Sequence, residues 1–260
     1  MFKIIKYSFF DLMRSRWSYI YFFFYLLLGF SILFLNSDIA KSIIILMNII
    51  IVLVPLIGTI FGVMFYYNSV EFSRLLLAQP IKRKTIFLGQ YLGLSLALSA
   101  SIFFGLGIPF LLYGLINSGY IINFLTLMAV GLLLTFIFTA ISFNIALHNE
   151  DKIKGFGISV LVWLLLAIVY DGFFLIGMIV FNSYPLEKFA LIATLFNPID
   201  LSRILIILKL DFSALLGYTG AVLNQFYGTN LGMLYSYLIL MAWIILPVQF
   251  MIKKSEKRDF

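Results

Sequence analysis

A carboxylate lies within an apolar run at Asp171, in Val169-Tyr170-Asp171-Gly172. An ionisable group at that depth is costly and is a functional site by default. Its chemistry is either charge handling in transport or gating, or a protonated carboxyl hydrogen-bonded between helices. Tyr-Asp is also half of the intramembrane aspartyl protease pattern. The other half, a second aspartate in a Gly-x-Gly-Asp setting, has no counterpart in any other apolar run. Two carboxyls sharing a proton are the basis of that chemistry, so a protease is not supported. His148, followed by Asn149 and two residues before Glu150, does not open an H-E-x-x-H zinc motif, because the chain has one histidine. It reads as an interfacial polar residue. With no cysteine either, imidazole and thiolate metal chemistry lacks ligands, and no catalytic or metal-ligating residue is assigned. The phosphate loop G-x-x-x-x-G-K-[ST] is absent, so the chain cannot hydrolyse ATP by that route.

These residues must be positioned by elements of a membrane protein. Of 260 residues, 63% are apolar and 11% charged, with a mean hydropathy of +1.10. A soluble chain is about a quarter charged, so soluble, disordered and fibrous classes are excluded. Six stretches reach the roughly 20 apolar residues a spanning helix needs. They are Trp17 to Leu35, Ile43 to Tyr67, Phe87 to Tyr113, Ile121 to Leu147, Phe156 to Phe181 and Leu231 to Ile252. Strand alternation is absent from them, so an all-α polytopic protein is expected.

Lys and Arg set the orientation. Lys3, Lys6, Arg14, Arg16, Arg74, Lys82, Arg83, Lys84, Lys152, Lys154, Lys253, Lys254, Lys257 and Arg258 flank one side of the spans. Lys41, Lys188, Arg203 and Lys209 flank the other. The positive-inside rule puts both termini in the cytoplasm. The net charge of +7 is thereby a topology signal, and no nucleic-acid partner is expected. No A-x-A signature follows the first apolar run, which reads as retained. Residues 1–16 place Lys3, Lys6, Asp11 and Arg14 within an arc of about 140° at 100° per residue. A basic interfacial helix is expected there, the alternative being an unstructured basic tail.

Two loops carry pattern. In the second, Glu71 to Gln79 reads as a short helix stopped by Pro80, followed by Lys82, Arg83 and Lys84. Such a helix suits docking into a partner's groove or snorkelling at the interface. The fifth loop, 182–230, contains Asn197-Pro198-Ile199-Asp200-Leu201-Ser202-Arg203, a helix start by its cap, its proline and its early acid. Leu201, Ile204, Leu205 and Leu208 then mark one apolar face. An amphipathic helix on the outer surface is expected, its apolar face meeting lipid or protein.

These features together resemble the type-2 ABC permeases over nearly the whole chain, and more narrowly the NosY-like permeases of nitrous-oxide-reductase maturation transporters. The resemblance rests on Asp11-Leu12-Met13-Arg14-Ser15-Arg16-Trp17, on Leu75-Leu76-Leu77-Ala78-Gln79-Pro80 with Lys82-Arg83, on Asp171, and on Asn197-Pro198-Ile199-Asp200-Leu201-Ser202-Arg203. Glu71-Phe72-Ser73-Arg74 stands where the family has a Glu-x-Gly-Thr lead-in. The resemblance implies a type-2 ABC exporter-like fold in the bacterial inner membrane, as one domain over 1–260, with 68–86 as a cytoplasmic coupling loop. It implies a homodimer with a cytoplasmic ABC ATPase dimer, which carries the ATP and Mg while this chain binds no cofactor, and a periplasmic subunit. Glu71, Arg74, Leu77, Gln79, Pro80, Glu150 and Asp151 would couple to the ATPase. Asn197, Pro198, Asp200, Leu201 and Arg203 would meet the periplasmic partner. The family is linked to copper-site assembly, but copper(I) wants soft ligands. Nine scattered methionines and no cysteine argue against a copper path lined by this chain alone. The remaining cargoes are a sulfur species, or none, with ATP driving a change in the external partner. Export of a lipid, drug or polysaccharide is the alternative function.

Overall fold

The computed structural model describes residues 1–36, 38–180, 187–209 and 229–257, and these are helical apart from short connections. Phe181, residues 182–186 and 210–228 of the long fifth loop, and Arg258 of the basic tail lie outside the described residues. Six helices are long and apolar enough to cross a membrane. The chain is a multi-pass membrane protein.

Helix α1 (Phe2–Arg14) stops at Ser15, whose extended backbone breaks the helix and whose Oγ accepts from Ser18 N–H to cap α2 (Arg16–Leu35). Asp38 caps α3 (Ile39–Asn68) through the Ala40 N–H at 2.8 Å. Ser69 separates α3 from α4 (Val70–Leu77), and α5 (Arg83–Leu112) follows a turn through Pro80. Left-handed Gly114 and Gly119 (φ 86° and 75°) turn the chain into α6 (Ile121–His148). Asp151 then caps α7 (Lys152–Leu164) through the Ile153 N–H. A π-helical segment, Leu165–Val169, joins α7 to α8 (Tyr170–Val180). After α9 (Glu187–Leu195) and α10 (Pro198–Lys209), α11 (Asn230–Lys257) completes the bundle.

Helices α3 and α5 have 30 residues each, about 45 Å at 1.5 Å per residue. That exceeds the roughly 30 Å hydrocarbon core, so both project beyond it. Helices α3 and α6 pack closely at Gly62, where a Cβ would meet Ser142 Oγ and lie 3.0 Å from Ser142 Cβ and 3.4 Å from the Thr139 carbonyl. With Gly58 one turn earlier, the pair forms a small-residue seam of the kind that lets membrane helices approach. Several polar groups between helices find partners, as in Ser95 Oγ with Thr139 Oγ1 (2.8 Å), Tyr91 O–H to Phe136 C=O (3.0 Å) and Trp163 Nε1–H to Val52 C=O (3.2 Å). Asn144 Nδ2 donates to the carbonyl of Pro247, tying α6 to α11.

The expected amino-terminal amphipathic helix is present, with Lys3, Lys6, Asp11 and Arg14 exposed. Its inward residues Ile4, Ser8 and Leu12 bury against α5 at Gly89 and Gly93, so protein covers that face. The second-loop helix spans Val70–Leu77, and Gln79 and Pro80 lie in the turn beyond it.

The fifth loop departs from expectation. Helix α10 is enclosed on more than one face: Ile199, Leu201, Ser202 and Ile206 have no exposure, Ile204, Leu205, Ile207 and Leu208 are buried, and Arg203 is half-buried. Its surroundings are α3, α6, α11 and the π segment. At the α9–α10 tip, Leu195 C=O accepts from Trp243 Nε1–H at 3.1 Å, halfway along α11. The pair is therefore a re-entrant hairpin reaching mid-bundle. One apolar stripe was legible in the sequence, but Ile199, Ile206 and Ile207 supply a second, and a helix apolar on two sides is stable only inside protein.

Candidate functional site

The hairpin tip is held by the residues whose chemistry stands out in the sequence. A π-helical turn disturbs the i to i−4 ladder, so a side chain can reach a carbonyl of the spanning helix. Asn197, fully buried, does so. Its Nδ2 donates to Leu166 C=O at 2.8 Å and to Asp200 Oδ2 at 3.0 Å, while its Oδ1 accepts from Ile199 N–H at 3.0 Å. One amide thus uses both donors and an acceptor, joining the fifth span, the cap of α10 and its first-turn acid. Pro198 at the first helical position needs no partner for its nitrogen.

Beyond Asn197 lies an ion cluster. Arg203 Nη1 is 2.8 Å from Asp171 Oδ2 and 3.2 Å from Asp200 Oδ1, so one guanidinium serves two carboxylates. Tyr170 O–H donates to Ala193 C=O of α9 at 2.6 Å. Adjacent residues of one helix project about 100° apart, so Tyr170 holds the inward limb of the hairpin while Asp171 holds the outward limb. The dipeptide that is half of a protease pattern is a two-armed clasp on the hairpin. Asp171 and Arg203 keep 28% and 31% side-chain exposure, and Asp171 shares a helix face with the exposed Ile168 and Leu175. The pair therefore opens sideways onto the uncovered apolar face of the fifth span.

Of the residues expected to meet an external partner, Asn197, Pro198, Asp200 and Leu201 are buried by the chain's own helices, and Arg203 is half-buried and engaged with two carboxylates. Asn197 and Arg203 bond to the chain's own fifth span. A helix tip inside a membrane protein must satisfy its polar backbone internally.

A second group gathers at the end of the bundle where α1, α4, the α6–α7 turn and the close of α11 meet. Its links are Ile4 against Gly89, Gln90 Nε2–H to Ser73 Oγ (2.9 Å), Tyr67 O–H near Asn149 C=O (2.9 Å) and Arg83 near Glu256 C=O (3.5 Å). This end collects the basic segments of the sequence. Of the candidate coupling residues, Glu71, Arg74, Gln79, Pro80, Glu150 and Asp151 are exposed and Leu77 is half-buried. Leu75 is 69% exposed between Glu71 and Arg74 and their neighbours, so α4 presents a charged and apolar outer face. Asp151 also has a local task as the cap of α7, and its carbonyl lies 3.1 Å from the Tyr67 hydroxyl. His148 Nδ1 donates to Asn144 C=O at 2.8 Å in the last turn of α6, where a donor matches the free carbonyls.

Sequence reasoning missed Gln90, Ser73, Tyr67 and Trp243. Each is a polar or amphipathic side chain within a helical stretch, and no spacing marks which of many such residues will meet a partner. Among the described residues, no group of three or more His, Asp or Glu is placed to hold a metal ion. Comparison with protein-family models and with curated proteins finds no match to this chain.

Proposed function

We propose that the chain is the membrane subunit of an ATP-binding cassette transporter of the type-2 exporter class, working as a homodimer with separate ATPase subunits. The observation that carries this reading is the mounting of α4. One residue, Ser69, links it to α3, and its buried Ser73 accepts from Gln90 of α5, while Glu71, Arg74 and Leu75 point outward. A force on that outer face would move the ends of two 30-residue spans together. The basic character of this end favours the cytoplasmic side. The sequence lacks a phosphate loop, so ATP and Mg would be bound by the partner.

Within this class we favour, following the resemblance, a maturation transporter for the copper site of nitrous oxide reductase in a bacterial inner membrane. In that reading ATP hydrolysis drives a conformational change that reaches the outer side through the re-entrant hairpin. Export of an amphiphile such as a lipid is the second reading, favoured by the half-open Asp171–Arg203 pair on the apolar face of the fifth span. Glu71→Lys and Arg74→Glu, each in the assembled complex, are expected to lower ATPase turnover or ATPase co-purification by roughly tenfold, the weight of one central interface residue. Unchanged assembly and turnover in both would reject the docking of an ATPase on α4. Lipid-stimulated turnover would favour export, and co-purification of a periplasmic subunit would favour maturation.

A further inference from the structure

Helix α1 is held from two sides and leaves a third side free. Ile4, Ser8 and Leu12 are buried, with Gly89 and Gly93 of α5 against Ile4 and Ser8, and Tyr7 stacks on Phe72 of α4 at 4.6 Å. Its charges are therefore mounted on a fixed helix and not on a loose tail. The free side presents Lys3, Lys6, Tyr7, Phe10, Asp11 and Arg14, all exposed, and these are the described residues lining an open groove of about 590 Å³. At 100° per residue, Lys3, Phe10 and Arg14 fall within about 40° of one another, Lys6 and Tyr7 flank them, and Asp11 stands at the edge. Three cations thus share a face with one acid, and none of the three forms an ion pair among the described residues.

The position of this face says what covers it. Only Ser15 lies between α1 and α2, the first of the helices long and apolar enough to cross a membrane, so the groove sits at the bilayer boundary. Around it Phe2, Phe10 and Trp17 are exposed, large side chains of the kind that the headgroup region takes up. We infer that this face is a binding site for anionic phospholipid. The Lys3 and Lys6 ammoniums and the Arg14 guanidinium take the lipid phosphate and its negative headgroup, while Phe10 meets the glycerol and upper acyl chain. A zwitterionic headgroup brings its own ammonium, which the three cations repel, so the site selects net negative charge. Asp11 opposes binding from the edge. The inference needs the membrane span alone and stands apart from the docking of an ATPase on α4.

The test places the full chain in nanodiscs of equal phosphatidylglycerol and phosphatidylcholine and counts the lipids retained on the released protein by native mass spectrometry. Phosphatidylglycerol is expected to be retained over phosphatidylcholine by at least about fivefold. Lys3→Gln and Lys6→Gln should each reduce that preference about fivefold, the fold-change equivalent to about 1 kcal/mol per basic residue at an anionic surface. Asp11→Asn should raise it. The charge-matched control is Lys152→Gln with Lys154→Gln, two exposed lysines of the α6–α7 turn, which should leave it unchanged. Equal retention of the two lipids would overturn the inference. An equal loss in the control would overturn it in favour of diffuse surface charge. Complete displacement of the lipid by millimolar glycerol phosphate would overturn it in favour of a soluble phosphate ester. If Lys3→Gln with Lys6→Gln keeps the lipid preference but releases a co-purifying protein, the face is a protein contact and the inference falls.

Discussion

Arg203→Gln is expected to unseat the hairpin. Without the guanidinium, Asp171 and Asp200 are left beside each other with no cation, and Asp200 has only 11% side-chain exposure. Removing one partner of a buried ion pair costs about 3–5 kcal/mol. The lower end applies here, because Asp171 and Arg203 are partly open and membrane hydrogen bonds average under about 1 kcal/mol each. The check is maleimide labelling of a cysteine placed at Leu201, which has no exposure in the seated hairpin. Labelling should rise strongly in Arg203→Gln, and adding Asp171→Asn should restore much of the protection by removing one stranded charge. Arg203→Lys should recover only part, since a point charge cannot reach both carboxylates as a planar fork does. If Leu201→Cys stays protected in Arg203→Gln, the clasp is not what seats α10.

Gly93→Val should detach α1. A Cβ at Gly93 would lie 2.6 Å from Ser8 Cβ, 2.8 Å from Ile5 C=O and 3.1 Å from Phe9 N, and two of those three atoms are backbone that cannot rotate away. Overpacking of this kind costs about 1–3 kcal/mol in a core that must absorb it. Helix α1, joined to α2 through the extended Ser15, can leave instead. A cysteine at Ser8, buried at 1% exposure, should then become reactive. Gly107→Val on the same helix is the control, because nothing lies within 4 Å of its Cβ position. Equal labelling in the two variants would mean that the α1–α5 contact does not depend on glycine.

The two variants test different parts of the bundle, and the sequence revealed them unequally. For α1, the amphipathic pattern of Lys3, Lys6, Asp11 and Arg14 marked the exposed side. It did not mark α5 as the cover, because Gly89 and Gly93 look like any membrane-helix glycines until another backbone lies on them. For the hairpin, the Asn-Pro-x-Asp start marked the cap, and α10 does begin at Pro198 with Asn197 Oδ1 accepting from Ile199 N–H. The pairing of Asp171 with Arg203 was not legible. The two are separated by 32 residues, part of them a long loop, and each taken alone fits lipid interface, partner contact or core.

By itself the sequence determined that this is a polytopic all-helical membrane chain with six spans, because hydropathy acts over windows of about 20 residues and needs no tertiary information. It also determined the helix start at Asn197, since capping is local chemistry between a side chain and an N–H two residues on. Only the tertiary structure decided that α10 is inside the bundle, that Tyr170 and Asp171 hold its two limbs, and that Gln90 is left with a buried free oxygen. These depend on which surfaces meet. In a chain apolar on most sides, many helix pairings bury similar area, so the choice among them falls to a few close glycine contacts and polar groups that must each find a partner.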